Sequence, residues 1–326
     1  MTARTWALLV MLLGVAVVVG LAGGSVPLSP LDVWRALTGN GAGDTASAIV
    51  QGLRLPRVVL GAVVGAGLAA SGTALQATLR NPLAEPYLLG VSGGAAVGAV
   101  LAVVVGVSMP SLVPLAAFAG AALAVLLVLV VARASGAYAD PRVLLMAGVV
   151  VGAFCNAAIM VALATAPEES VRGALWWMMG SVGDAQWSTV RSVSGYVVAG
   201  IALLAWWGRD IDVLALGEDA AASLGLDVER VTRRIYLTAS LLAAATVAGA
   251  GLIGFVGLIV PAIARALGAR TTRETVAASA LAGAALVVGA DLVARTVVRP
   301  AELPLGAVTA IIGVPFFLWR LRGAAR

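Results

Sequence analysis

The sequence predicts an all-α integral membrane protein: ten transmembrane helices in a compact bundle rich in glycine and alanine, plus one short cytoplasmic helix. Hydrophobic residues make up 61% of the 326 positions, and the mean hydropathy is +1.03. Apolar runs of about 20 residues, the length that crosses a bilayer, recur along the chain. Charged residues are only 11% of the total and lie mainly between these runs. We therefore expect residues 1–326 to form a single transmembrane domain.

Ten apolar segments make up the predicted bundle. They cover residues 6–23, 56–78, 87–107, 112–132, 141–164, 190–207, 233–250, 252–268, 274–294 and 304–321. Small residues recur on them at four-residue spacing, as at Gly61 and Gly65 in the second segment. Helices associate in lipid through such small faces, because close backbone approach replaces the hydrophobic effect. We therefore expect tight helix packing.

Arginine and tryptophan both indicate the orientation of these spans. With the N-terminus inside, 14 of the 21 basic residues fall on the cytoplasmic side, as the positive-inside rule requires. All eight tryptophans fall at predicted span ends, where an amphipathic ring prefers to lie. A nine-span arrangement would spoil both patterns, so both termini are expected in the cytoplasm. The basic composition then follows from topology, and nucleic-acid binding is not expected.

Missing residue types exclude several kinds of chemistry. The chain has no histidine, which excludes histidine-based zinc sites and Ser-His-Asp triads. Its one cysteine, Cys155, excludes an intrachain disulfide or a cysteine metal cluster. All 21 basic residues are arginines, so the lysine of a P-loop is absent. We expect no catalytic residues, no metal site and no ATPase activity in this chain.

The segment 208–234 is the main polar feature and holds ten charged residues. Within it, the run from Gly217 to Gly225 predicts a short helix, with acidic residues in its first turn and a glycine at its end. Leu216, Ala220 and Leu224 then share one face, an apolar surface suited to a groove. The alternative is a connector helix that lies on the bundle.

Residues 249–270 form an interrupted span. Broken transmembrane helices free backbone groups at membrane depth, and transporters use them around a cavity. A proline kink needed only for packing is the alternative. The candidate gate residues are Gly251, Gly254, Gly257 and Pro261, and bulkier residues at Gly254 and Gly257 are expected to reduce transport without disrupting assembly.

Two further groups of charged residues flank the spans. Arg54, Arg57 and Arg295 lie on the outer side, where arginine is disfavoured, and suggest a docking surface for acidic groups. The alternatives are an ion pair of Arg295 with Asp291, four residues earlier, and contact of the other two with lipid phosphates. On the inner side, the proline-bounded turn 80–86 contains Glu85, a lone carboxylate that gives weak support for proton coupling.

The chain closely resembles the permease subunits of ABC importers for ferric siderophores, haem and vitamin B12. The matching pieces extend from the second span to the last: LRLPR (Leu53–Arg57), SGTALQATLRNPLAEPYLLGVSGGAAVGA (Ser71–Ala99), LGEDAAASLGLDVERVTRR (Leu216–Arg234), GLIGFVGLIVPAIAR (Gly251–Arg265) and ADLVARTVVRPAELPLGAVTAIIGVPFFLW (Ala290–Trp319). One departure is Ala262, where the family commonly has histidine after the proline.

The resemblance implies a type II importer permease in the inner membrane of a bacterium. Its expected partners are a second permease copy, two ATP-binding subunits that hold the ATP and magnesium, and an extracytoplasmic substrate-binding protein. It implies that Arg54, Arg57 and Arg295 engage acidic residues of that binding protein. It also implies a coupling helix that transmits ATP-driven closure, with the residues Gly217, Glu218, Asp219, Ala222, Ser223, Leu224 and Gly225.

The expected function is import by alternating access in a homodimer, with a ferric siderophore as the favoured substrate and haem or cobalamin as alternatives. A heterodimer with a second permease stays open. The alternative from another class is a proton-coupled secondary transporter that works without an ATPase. Such a transporter needs ionisable relay residues within the membrane, and this chain places almost none there.

Overall fold

The computed structural model describes residues 1–39, 45–106, 109, 111–135 and 140–324, and every regular element in this part of the chain is helical. The helices are α1 Ala3–Ala22, α2 Pro30–Thr38, α3 Thr45–Ser47, α4 Leu55–Thr78, α5 Val91–Val104, α6 Leu112–Ala134, α7 Pro141–Ala164, α8 Glu168–Met178, α9 Trp187–Trp206, α10 Gly208–Leu214, α11 Glu218–Ser223, α12 Val228–Ala250, α13 Val256–Ala266, α14 Thr272–Ala294 and α15 Leu305–Ala324. A π-helical turn, Ala48–Arg54, joins α3 to α4, and a 3₁₀ turn, Pro86–Leu89, precedes α5.

A helix overlaps each of the ten predicted spans, which confirms an all-helical protein with membrane-type apolar helices. Six helical segments are long and apolar enough to cross a membrane: α1, the run Thr45–Thr78 that contains α4, α6, α7, α9 and α14. α5 and α13 are apolar but short, as is the described apolar part of α15, and α12 is long but less apolar. The count of ten crossings therefore stays a prediction; residue 107, the end of the predicted third span, lies outside the described residues.

The fold is built around α4, which is buried over most of its length. It packs against α14, α12, α9 and α13. At its crossing with α14, a Cβ atom on Gly65 would lie 2.1 Å from the carbonyl oxygen of Gly283, so only glycine permits this approach. The close packing expected from small residues is present at this crossing.

The peripheral helices leave wide apolar faces uncovered. On α7, Met146, Phe154 and Met160 are each about 70% exposed. Apolar faces of this kind suit contact with lipid or with another transmembrane helix.

Two helices outside the predicted spans lie next to the bundle. α2 begins with a capping box, in which the Ser29 side chain accepts from the Asp32 N–H and Asp32 accepts from the Ser29 N–H. Pro30 follows the cap, at the position where proline favours a helix start. α8 begins with Glu168 and Glu169 in its first turn.

Candidate functional site

The polar segment 208–234 is fixed firmly to the bundle at its base. Ile211 and Leu214 of α10 are buried. Asp212 accepts hydrogen bonds from the backbone N–H and the hydroxyl of Thr272, at 2.8 and 2.6 Å. Arg234 pairs with Asp210, and its guanidinium lies 4.9 Å from the centre of the Trp207 ring. The base of the segment is therefore bonded to the start of α14 and is not a free loop.

The short helix predicted here is present as α11, Glu218–Ser223. It starts at Gly217, whose φ is +114°, and ends before Gly225, whose φ is +83°. The N–H of Leu226 donates to the carbonyl of Ala221 at 3.0 Å, closing the last turn.

Apolar side chains at both ends of α11 are uncovered. Ala221 is fully buried against the protein, whereas Leu216 and Leu224 are 68% and 66% exposed. Ala220 within the helix is also exposed, but Leu216 precedes Gly217, whose backbone is not helical, so it does not share a helical face with Ala220 and Leu224 as the four-residue spacing predicted. A helix that served only as a connector would bury its apolar neighbours on the bundle, so this exposed apolar surface favours contact with a partner.

Helix α11 makes one ion pair with the turn that follows α4. The Arg80 guanidinium lies 3.0 Å from the Glu218 carboxylate, with both side chains about 40% exposed. Arg80 itself has a φ of +49°, in the left-handed region. The two predicted inner features, α11 and the turn 80–86, therefore meet in space.

The predicted helix break is present between α12 and α13, although the second part starts at Val256 rather than at residue 252. Residues 251–255 leave the helical conformation, and Gly251 has a φ of +69°. A Cβ atom there would lie 2.3 Å from the Trp177 carbonyl oxygen. A cavity of about 590 Å³, lined in part by Gly251, Trp177, Ser181 and Gln186, lies next to the break. The irregular backbone thus borders both protein and a cavity.

Two side chains from the turn after α4 satisfy backbone groups of the break. The Tyr87 hydroxyl accepts from the Ile253 N–H at 2.6 Å, and the Glu85 carboxylate accepts from the Phe255 N–H at 2.7 Å. Burial raises the pKa of Glu85, while the hydrogen bond from Phe255 opposes that rise. Glu85 therefore has a backbone partner, which the sequence did not indicate.

A third side chain, Gln76 of α4, repairs the helix at Pro261. In a helix the Gly257 carbonyl accepts from the N–H of residue 261, which proline lacks. The Gln76 amide donates to the carbonyls of Gly257 and Leu258 at 3.2 and 3.1 Å, and accepts from Arg265 at 2.6 Å.

The two candidate gate glycines in this region differ in their surroundings. A Cβ atom on Gly254 would meet only the Tyr87 ring, at 3.8 Å. On Gly257 it would lie 2.9 Å from the Leu68 carbonyl oxygen. The expectation that both tolerate bulkier residues therefore holds sterically for Gly254 alone; their role in gating stays a prediction.

The three arginines that were predicted on the outer side have buried or nearly buried side chains. Arg54 is buried and donates to the carbonyls of Leu21 and Ala22 at 2.7 and 2.8 Å, and to that of Val26. Arg295 is buried and donates to the carbonyls of Gly20 and Gly23. These two guanidinium groups cap the C-terminal end of α1, where cations are favoured.

Arg57 is held between two carboxylates. It contacts Asp291 at 2.8 Å and Glu302 at 2.8 Å. Asp291 is buried and also forms the expected ion pair with Arg295, at 3.3 Å. Hydrogen bonds from Arg57 lower the pKa of Glu302, which is the exposed member of the cluster. Docking of an external protein here stays a prediction, and in this conformation Arg54 and Arg295 do not face such a protein.

Comparison with known proteins covers nearly the whole chain. The sequence profile of the FecCD transport family matches residues 11–323. The chain is 43% identical to the cobalamin import system permease protein BtuC of Halobacterium salinarum, over 86% of this chain and 75% of that protein. It is 38% identical to the hemin transport system permease protein HmuU of Yersinia pestis, over 92% and 91%.

The comparison also includes a relative named for ferric citrate import and a solved structure. The Fe(3+)-citrate import system permease protein YfmE of Bacillus subtilis is 37% identical, over 85% of this chain and 83% of that protein. A solved structure of a metal-chelate type ABC transporter in an inward-facing conformation superposes with a TM-score of 0.84, at 27% identity, over 98% of both chains.

Proposed function

Because the chain belongs to the FecCD transport family, we propose that it is the membrane permease of an ATP-driven importer for a ferric siderophore, with haem or cobalamin as alternative substrates. The relatives named for cobalamin, hemin and ferric citrate support a substrate in which an organic ligand wraps a metal ion. The permease lies in the bacterial inner membrane with both termini in the cytoplasm. ATP and magnesium bind the partner subunit.

The observation that carries this proposal is the exposed apolar surface at the two ends of α11, on a charged, firmly anchored segment. Leu216 precedes the helix and Leu224 follows it, and both are about two-thirds exposed. A groove on an ATP-binding subunit would cover them, and Asp219 beside them is exposed to such a partner. Because the base of the segment is bonded to α14, a push on α11 reaches the bundle.

The proposed mechanism is alternating access in a homodimer. ATP binding brings the two ATP-binding subunits together, and the α11 helices follow them. The bundle then opens outward beneath a loaded binding protein, substrate enters a central cavity, and hydrolysis restores the inward-facing state. The uncovered apolar face of α7, with Met146, Phe154 and Met160, is available for contact with the second copy.

On the outer side, we propose that the binding protein docks over the cluster of Arg54, Arg57 and Arg295. The first two groups it meets are Glu302, whose side chain is 47% exposed, and Arg57, whose side chain is 11% exposed. An acidic residue of the binding protein would replace Glu302 as the partner of Arg57. Arg54 and Arg295 would hold the surface through α1.

Native mass spectrometry of the protein, purified in mild detergent from its own membranes, tests the proposal. We expect two copies together with two P-loop ATPase subunits. Asp219→Arg should release the ATPase. Glu229→Arg is the matched control, since it reverses another exposed acidic residue in the first turn of a helix of the same segment.

Two outcomes would count against this proposal. A wild-type protein that stays free of any ATPase under gentle conditions would contradict the proposal and favour the proton-coupled secondary transporter. Equal loss of the ATPase in Asp219→Arg and Glu229→Arg would place the contact outside α11.

A further inference from the structure

The chain segment from Arg80 to Tyr87 is bonded at both ends to elements that are far away in sequence. At one end Arg80 pairs with Glu218 of α11 at 3.0 Å. At the other end Glu85 and Tyr87 accept from the backbone of the helix break, at Phe255 and Ile253. One short segment therefore contacts both α11 and the broken helix.

This segment, which we name the inner strut, is stiffened by its own hydrogen bonds. The Asn81 N–H donates to the backbone carbonyl of Gln76, near the end of α4, at 3.1 Å. The Ala84 N–H donates to the backbone carbonyl of Asn81 at 3.0 Å. The Asn81 side chain accepts from the Leu83 N–H at 2.9 Å. Pro82 and Pro86 fix φ at two further positions. These hydrogen bonds and the two prolines leave the segment between Arg80 and Glu85 little conformational freedom.

The contacts at the far end of the strut replace contacts that the broken helix cannot make for itself. The N–H groups at the start of α13 have no intrahelical partners, and a carboxylate at such an end is favourable. The Glu85 carboxylate accepts from the N–H of Phe255, the N-cap residue immediately before α13. The Tyr87 hydroxyl accepts a hydrogen bond from the N–H of Ile253 within the break. The conformation of residues 251–255 thus depends on where the strut lies.

The contact at the near end lies where the ATP-binding subunit would press. A Cβ atom on Gly217, at the start of α11, would lie 3.4 Å from the Arg80 guanidinium. An exposed ion pair of this kind contributes little free energy by itself. Its importance is geometric, since Arg80 lies directly against the helix that the partner would move.

We propose that the inner strut transmits displacement of α11 to the helix break, with Glu85 and Tyr87 as positioning residues that hold residues 251–255. This inference rests on the proposed function, in which α11 receives the push of an ATP-binding subunit. It assigns to Glu85 a mechanical role in place of proton coupling.

The test uses the full complex of this permease with its ATPase in proteoliposomes, and it measures the iron transported as a ferric siderophore per ATP hydrolysed. Tyr87→Phe removes only the hydroxyl that binds Ile253. We expect it to lower transport per ATP by about tenfold, a typical size for coupling between sites, while hydrolysis continues. Ser92→Ala is the matched control, because the Ser92 hydroxyl donates to the Tyr87 carbonyl at 3.2 Å, so the substitution removes a hydrogen bond of the same tyrosine without removing the one to Ile253.

A double variant separates transmission from local packing. If the strut is one path, adding Arg80→Ala to Tyr87→Phe should lower transport per ATP no further than the larger single effect. Multiplied effects would instead show two independent structural contacts and would overturn the proposal. Unchanged transport per ATP in Tyr87→Phe, with the complex intact by native mass spectrometry, would also overturn it.

A measurement on the unmodified complex keeps the proposal testable if a variant fails to fold. Hydrogen exchange of the Ile253 and Phe255 amides should change when a non-hydrolysable ATP analogue binds the partner subunit. No change at these amides, in a complex whose α11 amides do respond, would refute the strut while leaving the proposed function standing. A wild-type permease that binds no ATPase would refute the proposed function itself.

Discussion

Replacing Gln76 by leucine tests how the helix tolerates Pro261. The Gln76 side chain is buried and gives the Gly257 carbonyl the donor that proline lacks. Leu258 keeps its own helical donor, the N–H of Ala262, so the substitution orphans one carbonyl and also removes an acceptor of the Arg265 guanidinium. An unpaired buried group costs about 1–3 kcal/mol, whereas side-chain hydrogen bonds in a membrane protein average about 0.6 kcal/mol. We expect a loss of about 1–2 kcal/mol in the free energy of unfolding.

A mutant cycle supplies the control for this prediction. Pro261→Ala restores an N–H that can reach the Gly257 carbonyl, so Gln76→Leu should cost clearly less in that background. Unfolding in detergent, followed by the fluorescence of the eight tryptophans, measures all four proteins. An equal cost of Gln76→Leu in both backgrounds would refute the reasoning, because the repaired carbonyl would then not be the source of the loss.

Three further predictions concern the glycines of the helix break, the carboxylates that bind Arg57, and Glu85. Gly257→Ala should lower the melting temperature and Gly254→Ala should not, since only the first forces a Cβ atom to within 2.9 Å of a backbone oxygen; the reverse order would contradict this packing. Asp291→Asn should cost about 3–5 kcal/mol, because among the described residues Arg57 then keeps only Glu302 as a charged partner and the buried Arg295 loses its carboxylate, whereas Glu302→Gln should cost less than about 1 kcal/mol; similar melting temperatures would argue against a buried network. Burial raises the pKa of Glu85 above 4.5, so its contribution to stability is full at low pH and is lost as the pH rises through its folded value. Glu85→Gln should therefore weaken the fall of the melting temperature as the pH rises above about 4.5, and an unchanged pH profile would show that the titration of Glu85 does not affect stability.

The short helix α11 could be predicted from sequence almost to the residue. Gly217 and Gly225 set its two ends, and the structure gives Glu218–Ser223. Glycine at each end permits the positive φ that the chain needs there, so the signal is local. The helix break at Gly251 was predictable for the same reason.

The surroundings of the outer arginines could not be predicted in this way. Arg54 and Arg295 were expected at a docking surface because they lie on the side where arginine is rare. The structure buries both against the end of α1, which is at least 32 residues away in sequence in each case. Which way a long side chain turns depends on the carbonyl groups within its reach, and only the packed bundle supplies them.

What the sequence by itself determined is everything encoded in neighbouring residues: apolar helices, their ends, the acidic first turn of α11 and the interruption at Gly251 and Pro261. What only the tertiary structure decided is which group satisfies each polar atom that those interruptions leave unpaired. Gln76 meets the Gly257 carbonyl across 181 residues, and Glu85 meets the Phe255 N–H across 170. Within lipid such groups must find partners inside the protein, and helix packing brings together residues that no local pattern connects.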